Sequence, residues 1–144
     1  MGDASTVLQG GRRKAFRPLP ADDRRAALAA GIEAYERGDF FLAHELLEPA
    51  WMGADDVAER ELLQGLIKLA AAYVHATRGN PLGVQKNLRG SRMRLASAAD
   101  AGVDPRGLDL AALLRDVDAR LAALEASPSS FSVPPPRLLR RSAS

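Results

Sequence analysis

Apolar residues recur at helical spacing through the middle of the chain. Leu28, Ile32 and Tyr35 stand at i, i+4 and i+7 and predict a first helix that starts at Pro20 or Asp22 and stops at Arg37-Gly38, where glycine supplies a left-handed cap. A second helix begins near Asp39 or Phe40 and runs to about Trp51. Pro49 lacks an amide donor and should kink or terminate it, leaving residues 53–56 as the following loop. In the third, residues 57–78, a Leu62, Leu66, Leu69, Tyr73 face adjoins a Leu63, Ile67, Ala70, Val74 face. Most of its circumference is apolar, so it is predicted to run through the centre of a bundle. Gly79-Asn80-Pro81 repeats the stop-and-start chemistry, with a glycine cap, an Asn able to cap the next helix and a Pro tolerated in its first turn. The fourth helix, residues 81–99, turns Val84, Leu88, Ser91, Leu95 and Ala98 inward and leaves Lys86, Arg89, Arg92 and Arg94 on a solvated face. A last helix, about residues 107–126, aligns Leu110, Leu113, Leu114, Val117, Leu121 and Leu124 along one seam.

Between residues 21 and 126 Ala, Leu, Arg and Glu dominate, β-branched residues are scarce and no strand candidate survives. The expectation is an all-α fold, a compact bundle of about five helices built from two helical hairpins plus a C-terminal helix. Gly38-Asp39 followed by an amphipathic helix recurs as Gly79-Asn80 followed by another, a faint echo near the period of helical-repeat proteins. Residues 1–20 and 127–144 carry no period that would bury a face and read as disordered or loosely docked tails on a helical domain of residues 21–126. The proline run at 134–136 favours an extended polyproline conformation. The start, Met1-Gly2-Asp3-Ala4-Ser5-Thr6, formally matches an acylation pattern but reads as a flexible leader, and the Arg140-Arg141-Ser142 end as a solvated tail.

At 144 residues the chain suits one domain with a single core. Without cysteine, disulfides, thiolate metal sites and thiol nucleophiles are excluded, which fits a reducing compartment, so a cytoplasmic location is expected. The amino terminus lacks the apolar run of a signal peptide. The most apolar stretch, residues 62–77, is interrupted by Gln64, Lys68 and His75, so no membrane crossing is expected. The pI near 9.4 belongs to the ends. Residues 1–20 hold four basic residues against Asp3, and residues 127–144 hold three basic and no acidic ones; the formal +2 of the whole therefore leaves −4 on residues 21–126. A mildly acidic globule lacks the usual phosphate-binding footprint, and no nucleic-acid partner is expected.

Both histidines lie inside apolar helical segments. On the second helix His44 and Glu48 are four residues apart with Trp51 a turn further and Glu45 on the flank; on the third, Gln64, Lys68 and His75 share a stripe. If these helices pack as an antiparallel hairpin the stripes face each other, giving a candidate polar groove of His44, Glu45, Glu48, Trp51, Gln64, Lys68 and His75. One reading is a hydrogen-bonded network inside the core that fixes the helix pair in register. Another is a metal or acid-base site with His44, Glu48 and His75 as the ligand candidates. The segment His44-Glu45-Leu46-Leu47-Glu48 lacks the second imidazole of the zincin pattern. Lys68, placed within reach of Glu45 or Glu48, would supply the charge of a metal. No cofactor or metal is therefore expected. Trp51 with Phe40, Phe41, Tyr35 and Tyr73 reads first as core packing.

These motifs resemble those of the domain-of-unknown-function family 309, a group of small all-helical proteins. The matching residues are 38–51, with Ala43-His44-Glu45 and Glu48; Gln64-Gly65-Leu66-Ile67 and Leu69-Ala70-Ala71; then His75, Gly79-Asn80 and Gly83, over a span of roughly residues 25–100. The resemblance implies a compact right-handed helical bundle and no agreed activity. The chain departs from the family where Lys68 replaces a usual glutamine, where Pro49 follows Glu48 and where Val84 replaces a small alanine. The expected function is a small helical module that binds an unknown small ligand or protein at this groove. Two alternatives stand beside it: a metal-dependent hydrolase or lyase, with His44 and His75 as ligands and Glu45 or Glu48 as base; and a helical-repeat-like scaffold that uses the basic face of the fourth helix. Whether the chain is an enzyme and whether it self-associates stay open.

Overall fold

A computed structural model of the protein describes residues 6–9, 12–105, 107–132 and 134–138. The acylation-like start and the Arg140-Arg141-Ser142 end fall outside the described residues. Five α-helices follow one another: α1, Ala21–Glu36; α2, Phe40–Gly53; α3, Val57–Thr77; α4, Pro81–Asp100; and α5, Leu110–Ala126, with a short 3-10 turn at Pro128–Ser132. Each packs chiefly on its neighbours in sequence, α3 against both α2 and α4. The all-α bundle is the architecture that the hydrophobic spacing dictates.

Local chemistry fixes the ends. Asp39, Asp56, Asn80 and Asp109 each accept the amide of the residue three further on, from Leu42, Glu59, Gly83 and Ala112, at 2.8 to 3.2 Å. Such a cap is worth about 1 kcal/mol. Gly38 and Gly79 sit at φ of 85° and 67°, a conformation that costs glycine little, and each is followed at once by a capping residue, so the internal echo is an echo of turn chemistry. Pro49 does not end α2, which runs on to Gly53. Pro49 is exposed while Ala50, Trp51 and Gly53 are buried, so the lost hydrogen bond falls on the solvent side and packing carries the helix past it.

The core is mostly leucine and alanine and draws on all five helices, with α3 as its axis: ten of its residues, Gln64 among them, are buried. All five inward positions expected on α4 are buried, and the hydroxyl of Ser91 donates to the Gly65 carbonyl of α3 at 2.7 Å. Arg24 of α1 reaches Glu59 of α3 through two nitrogens, at 2.7 and 3.2 Å, a forked pair that ties the first helix to the third.

Among the described residues of the two terminal segments, read from the sequence as disordered or loosely docked, Arg17, Leu19 and residues 134–138 contact the bundle. Thr6–Gln9 (β1) and Arg12–Ala15 (β2) pair as an antiparallel hairpin. The following backbone caps the open end of α2, Arg17 N donating to Met52 O at 3.1 Å and Leu19 N to Gly53 O at 3.3 Å. Gly53 permits this approach, since a Cβ there would lie 2.5 Å from the Leu19 Cβ and 2.7 Å from the Arg17 carbonyl. At the other end the Tyr35 hydroxyl donates to Pro136 O at 2.8 Å, Arg120 Nε donates to Pro134 O at 2.9 Å, Glu36 accepts the Leu138 amide and pairs with Arg137, and Leu138 is buried. Composition could not show this docking because it runs through main-chain atoms and two isolated apolar residues, without a period.

Tyr35, Phe40 and Tyr73 form an aromatic cluster with centroids 5.3 to 6.4 Å apart, Tyr35 edge-on to both other rings. Burial raises the Tyr35 phenol well above its ordinary value and pushes Tyr73 up to about 12, Arg120 offsetting only part of the latter. An unfolded tyrosine ionises near 10, so above that pH the unfolded chain sheds protons the folded one keeps, and stability falls as pH rises from about 10 towards 12. Since these are the only two tyrosines, the native protein should show almost no tyrosinate absorbance until it unfolds at alkaline pH. A normal titration at pH 10 with the fold intact would contradict the burial of both rings.

Candidate functional site

The groove expected between the second and third helices exists in part. His44 and Glu45 of α2 and His75 of α3 line one cavity of about 160 Å³, together with Phe41, Ala71, Val74 and Arg78. Phe41 is 60% exposed, so it lies at the rim and not in the core where aromatic content would place it. His44 is partly exposed and its Nδ1 stands 4.0 Å from Glu45 Oε1, too far for a strong pair.

His75 is the most firmly held of the set. Asn80, which caps α4 by accepting the Gly83 amide on Oδ1 at 3.2 Å, presents its Nδ2 to His75 Nδ1 at 3.1 Å. With Oδ1 used as the acceptor, Nδ2 must donate; the neutral ring therefore accepts at Nδ1 and carries its proton at Nε2. Gly83 leaves the ring its space, because a Cβ there would lie 2.4 Å from Nδ1. Asn80 and Gly83 are thus the orienting residues. The turn signal Gly79-Asn80-Pro81 was legible as a cap, but its second role needs the next turn of α4 folded over α3.

The other four candidates go elsewhere. Trp51 is 1% exposed and belongs to the hydrophobic core. Glu48 is half-buried, lines none of the described cavities with His44, and makes no hydrogen bond or ion pair within the described residues. Lys68 does not approach Glu45 or Glu48. It lies over Gly90 of α4, and its charged neighbours are Arg94 and Lys86; burial first, then those two cations, lower its pKa. Gln64 is buried, and its Nε2 has no partner among the described residues. The network reading therefore fails in its main feature, since no side-chain hydrogen bond joins α2 to α3 across the seven residues. A helix stripe spans a wide arc, and α3 shares this stripe between α2 and α4.

Glu48→Ala is accordingly expected to change stability by less than about 0.5 kcal/mol, as for a half-buried carboxylate with no partner to leave unsatisfied. The denaturation midpoint measures it. A loss above 1 kcal/mol would reveal a buried acceptor role for the carboxylate.

No group of three His, Asp or Glu side chains among the described residues is placed to hold a metal ion. His44, Glu48 and His75 do not converge, so the ligand set that a metal-dependent hydrolase would need is not assembled. No helix among the described residues is long and apolar enough to cross a membrane.

The segment that builds the cavity is also the one that known proteins share. Residues 28–87 match the family model described as Domain of unknown function (DUF309). This DUF309 segment is the family the sequence motifs resemble, and it spans the end of α1, all of α2 and α3, and the start of α4 with Asn80 and Gly83. The hairpin β1–β2, most of α4, α5 and the docked C-terminal segment lie outside it. The chain is also similar to the "Uncharacterized protein YpuF" of Bacillus subtilis (strain 168), at 32% identity over 83 residues, 58% of this chain and 47% of that protein. The chain thus spans about half the length of that relative. Neither the DUF309 description nor the relative's name states an activity, and the function is unknown.

Proposed function

We propose that the protein is a small cytoplasmic helical module that acts by binding, with the cavity between α2 and α3 as its ligand site. What carries the reading is that His44 and His75, the chain's two histidines, come from different helices to one cavity while neither helps to hold those helices together. His75 is oriented by Asn80 and offers Nε2–H as a donor. Arg78 makes no ion pair within the described residues and adds a cation, and Ala71, Val74 and Phe41 supply an apolar wall. Glu45 adds one acid to the same lining; the chemistry that fits is a small group with a short apolar stem and a carboxylate that pairs with Arg78. At about 160 Å³ the cavity is well below the 300–1,000 Å³ usual for a drug-sized ligand, so a small metabolite or one side chain of a partner fits it.

The two imidazoles give two assignable side-chain signals in nuclear magnetic resonance. Titration of the full chain with acetate, propionate and succinate is expected to move both together, and His44→Ala or Arg78→Ala to weaken the response. If none of these carboxylates moves either ring, or if the shifts persist unchanged in both variants, the reading is wrong.

A further inference from the structure

A second face of the molecule has a chemistry the cavity does not use. Along α4, Leu82, Lys86, Arg89, Gly90 and Met93 line a groove of about 550 Å³, closed on one side by Lys68 of α3. Leu82 is 77% and Met93 65% exposed, and they lie eleven residues apart, three turns along one helix. Between them sit cations with no acid in the lining. Each arginine of α4 has a carboxylate: Arg94 meets Glu61 at 3.0 Å, Arg92 meets Asp118 at 2.9 Å and Arg89, within the groove, meets Glu125 loosely at 3.8 Å. Lys68 and Lys86 have none within the described residues. Gly90 makes room for the Lys68 stem, since a Cβ there would be 2.9 Å from its Cδ. Placing an ammonium partly out of water beside other cations works against stability, and a leucine and a methionine left open to solvent do so as well.

We infer that this face of α4 docks an acidic protein segment bearing apolar side chains, with Leu82 and Met93 as apolar anchors and Lys68, Lys86 and Arg89 as counter-charges. The charge pattern selects that class. Residues 21–126 sum to −4, so this face offers no extended cationic track for a long polyanion such as RNA, while a short acidic segment feels the local cations. An anionic bilayer is recruited by clusters of about four to eight basic residues, more than this groove offers. The paired acidic and apolar requirement is that of an amphipathic segment laid in a groove. The site is independent of the α2–α3 cavity.

The test uses the full chain and a fluorescently labelled amphipathic peptide with glutamates on one face and leucines on the other, read by anisotropy. Binding is expected at low salt, to weaken with added salt, to fall about tenfold or more in Lys86→Glu/Arg89→Glu and several-fold in Leu82→Ser, and to be unchanged in His44→Ala. All substitutions save that of His44 are at exposed positions, and thermal unfolding checks that each variant is folded. Absence of binding at low salt, or equal binding by the charge-reversed variant, would overturn the inference. So would preferential binding of phosphatidylserine vesicles or of a single-stranded RNA that is lost in the same variants.

Discussion

Trp51→Ala is expected to lower the stability of the folded chain by about 3–5 kcal/mol, the usual cost of removing a large aromatic from a closed core. The indole is 1% exposed and sits among Leu47, Ala50, Ala54 and the leucines of α3 in the same buried cluster. Against a total of about 5–15 kcal/mol for a domain of this kind, that is at least about a fifth of the stability. Urea unfolding followed by circular dichroism measures it. The result also separates the two roles the sequence allows Trp51, because a tryptophan lining an open groove would cost far less to truncate. A loss below about 1 kcal/mol would put the ring at a surface and reopen it as a ligand contact.

The contrast between Trp51 and Phe41 shows how much the residue pattern carries. Leu62, Leu66, Leu69 and Tyr73 are all buried, as are Val84, Leu88, Ser91, Leu95 and Ala98, because helical spacing tells which residues share a face and burial follows when the face is wide and apolar. Helix ends were legible where a glycine and a capping residue stand together, at Gly38-Asp39 and Gly79-Asn80. Position 49 was not, since proline's effect depends on which side of the helix its missing amide faces. The candidate site was legible to the level of a stripe and no further. His44, Glu45 and His75 do meet, whereas Lys68, predicted from the same stripe to meet a glutamate, instead lies against α4. A stripe fixes azimuth on one helix, and which neighbour it touches depends on interhelical approach. That approach is set here by glycines at 65, 83 and 90, whose missing side chains leave little signal in a hydropathy pattern.

Those glycines can be tested through Gly65. Its backbone approaches α4 closely: a Cβ there would lie 2.7 Å from both Cγ and Cδ2 of the fully buried Leu95 and 3.2 Å from its backbone nitrogen, while the Gly65 carbonyl accepts the Ser91 hydroxyl. Gly65→Ala gains about 1 kcal/mol of helix propensity and loses about 1–3 kcal/mol to overpacking, so a net loss of up to about 2 kcal/mol is expected. Leu95→Ala alone should cost about 2–5 kcal/mol through the cavity it leaves. In the double variant the new methyl group enters the space Leu95 has left. The overpacking is relieved and part of the void filled, so the combined loss should fall short of the sum by about 1 kcal/mol or more. Equilibrium unfolding of the wild type, the two single variants and the double variant gives that coupling directly. Strict additivity would mean that Gly65 and Leu95 do not share a contact, and the close seating of α4 on α3, from which the positions of both Lys68 and His75 follow, would have to be abandoned.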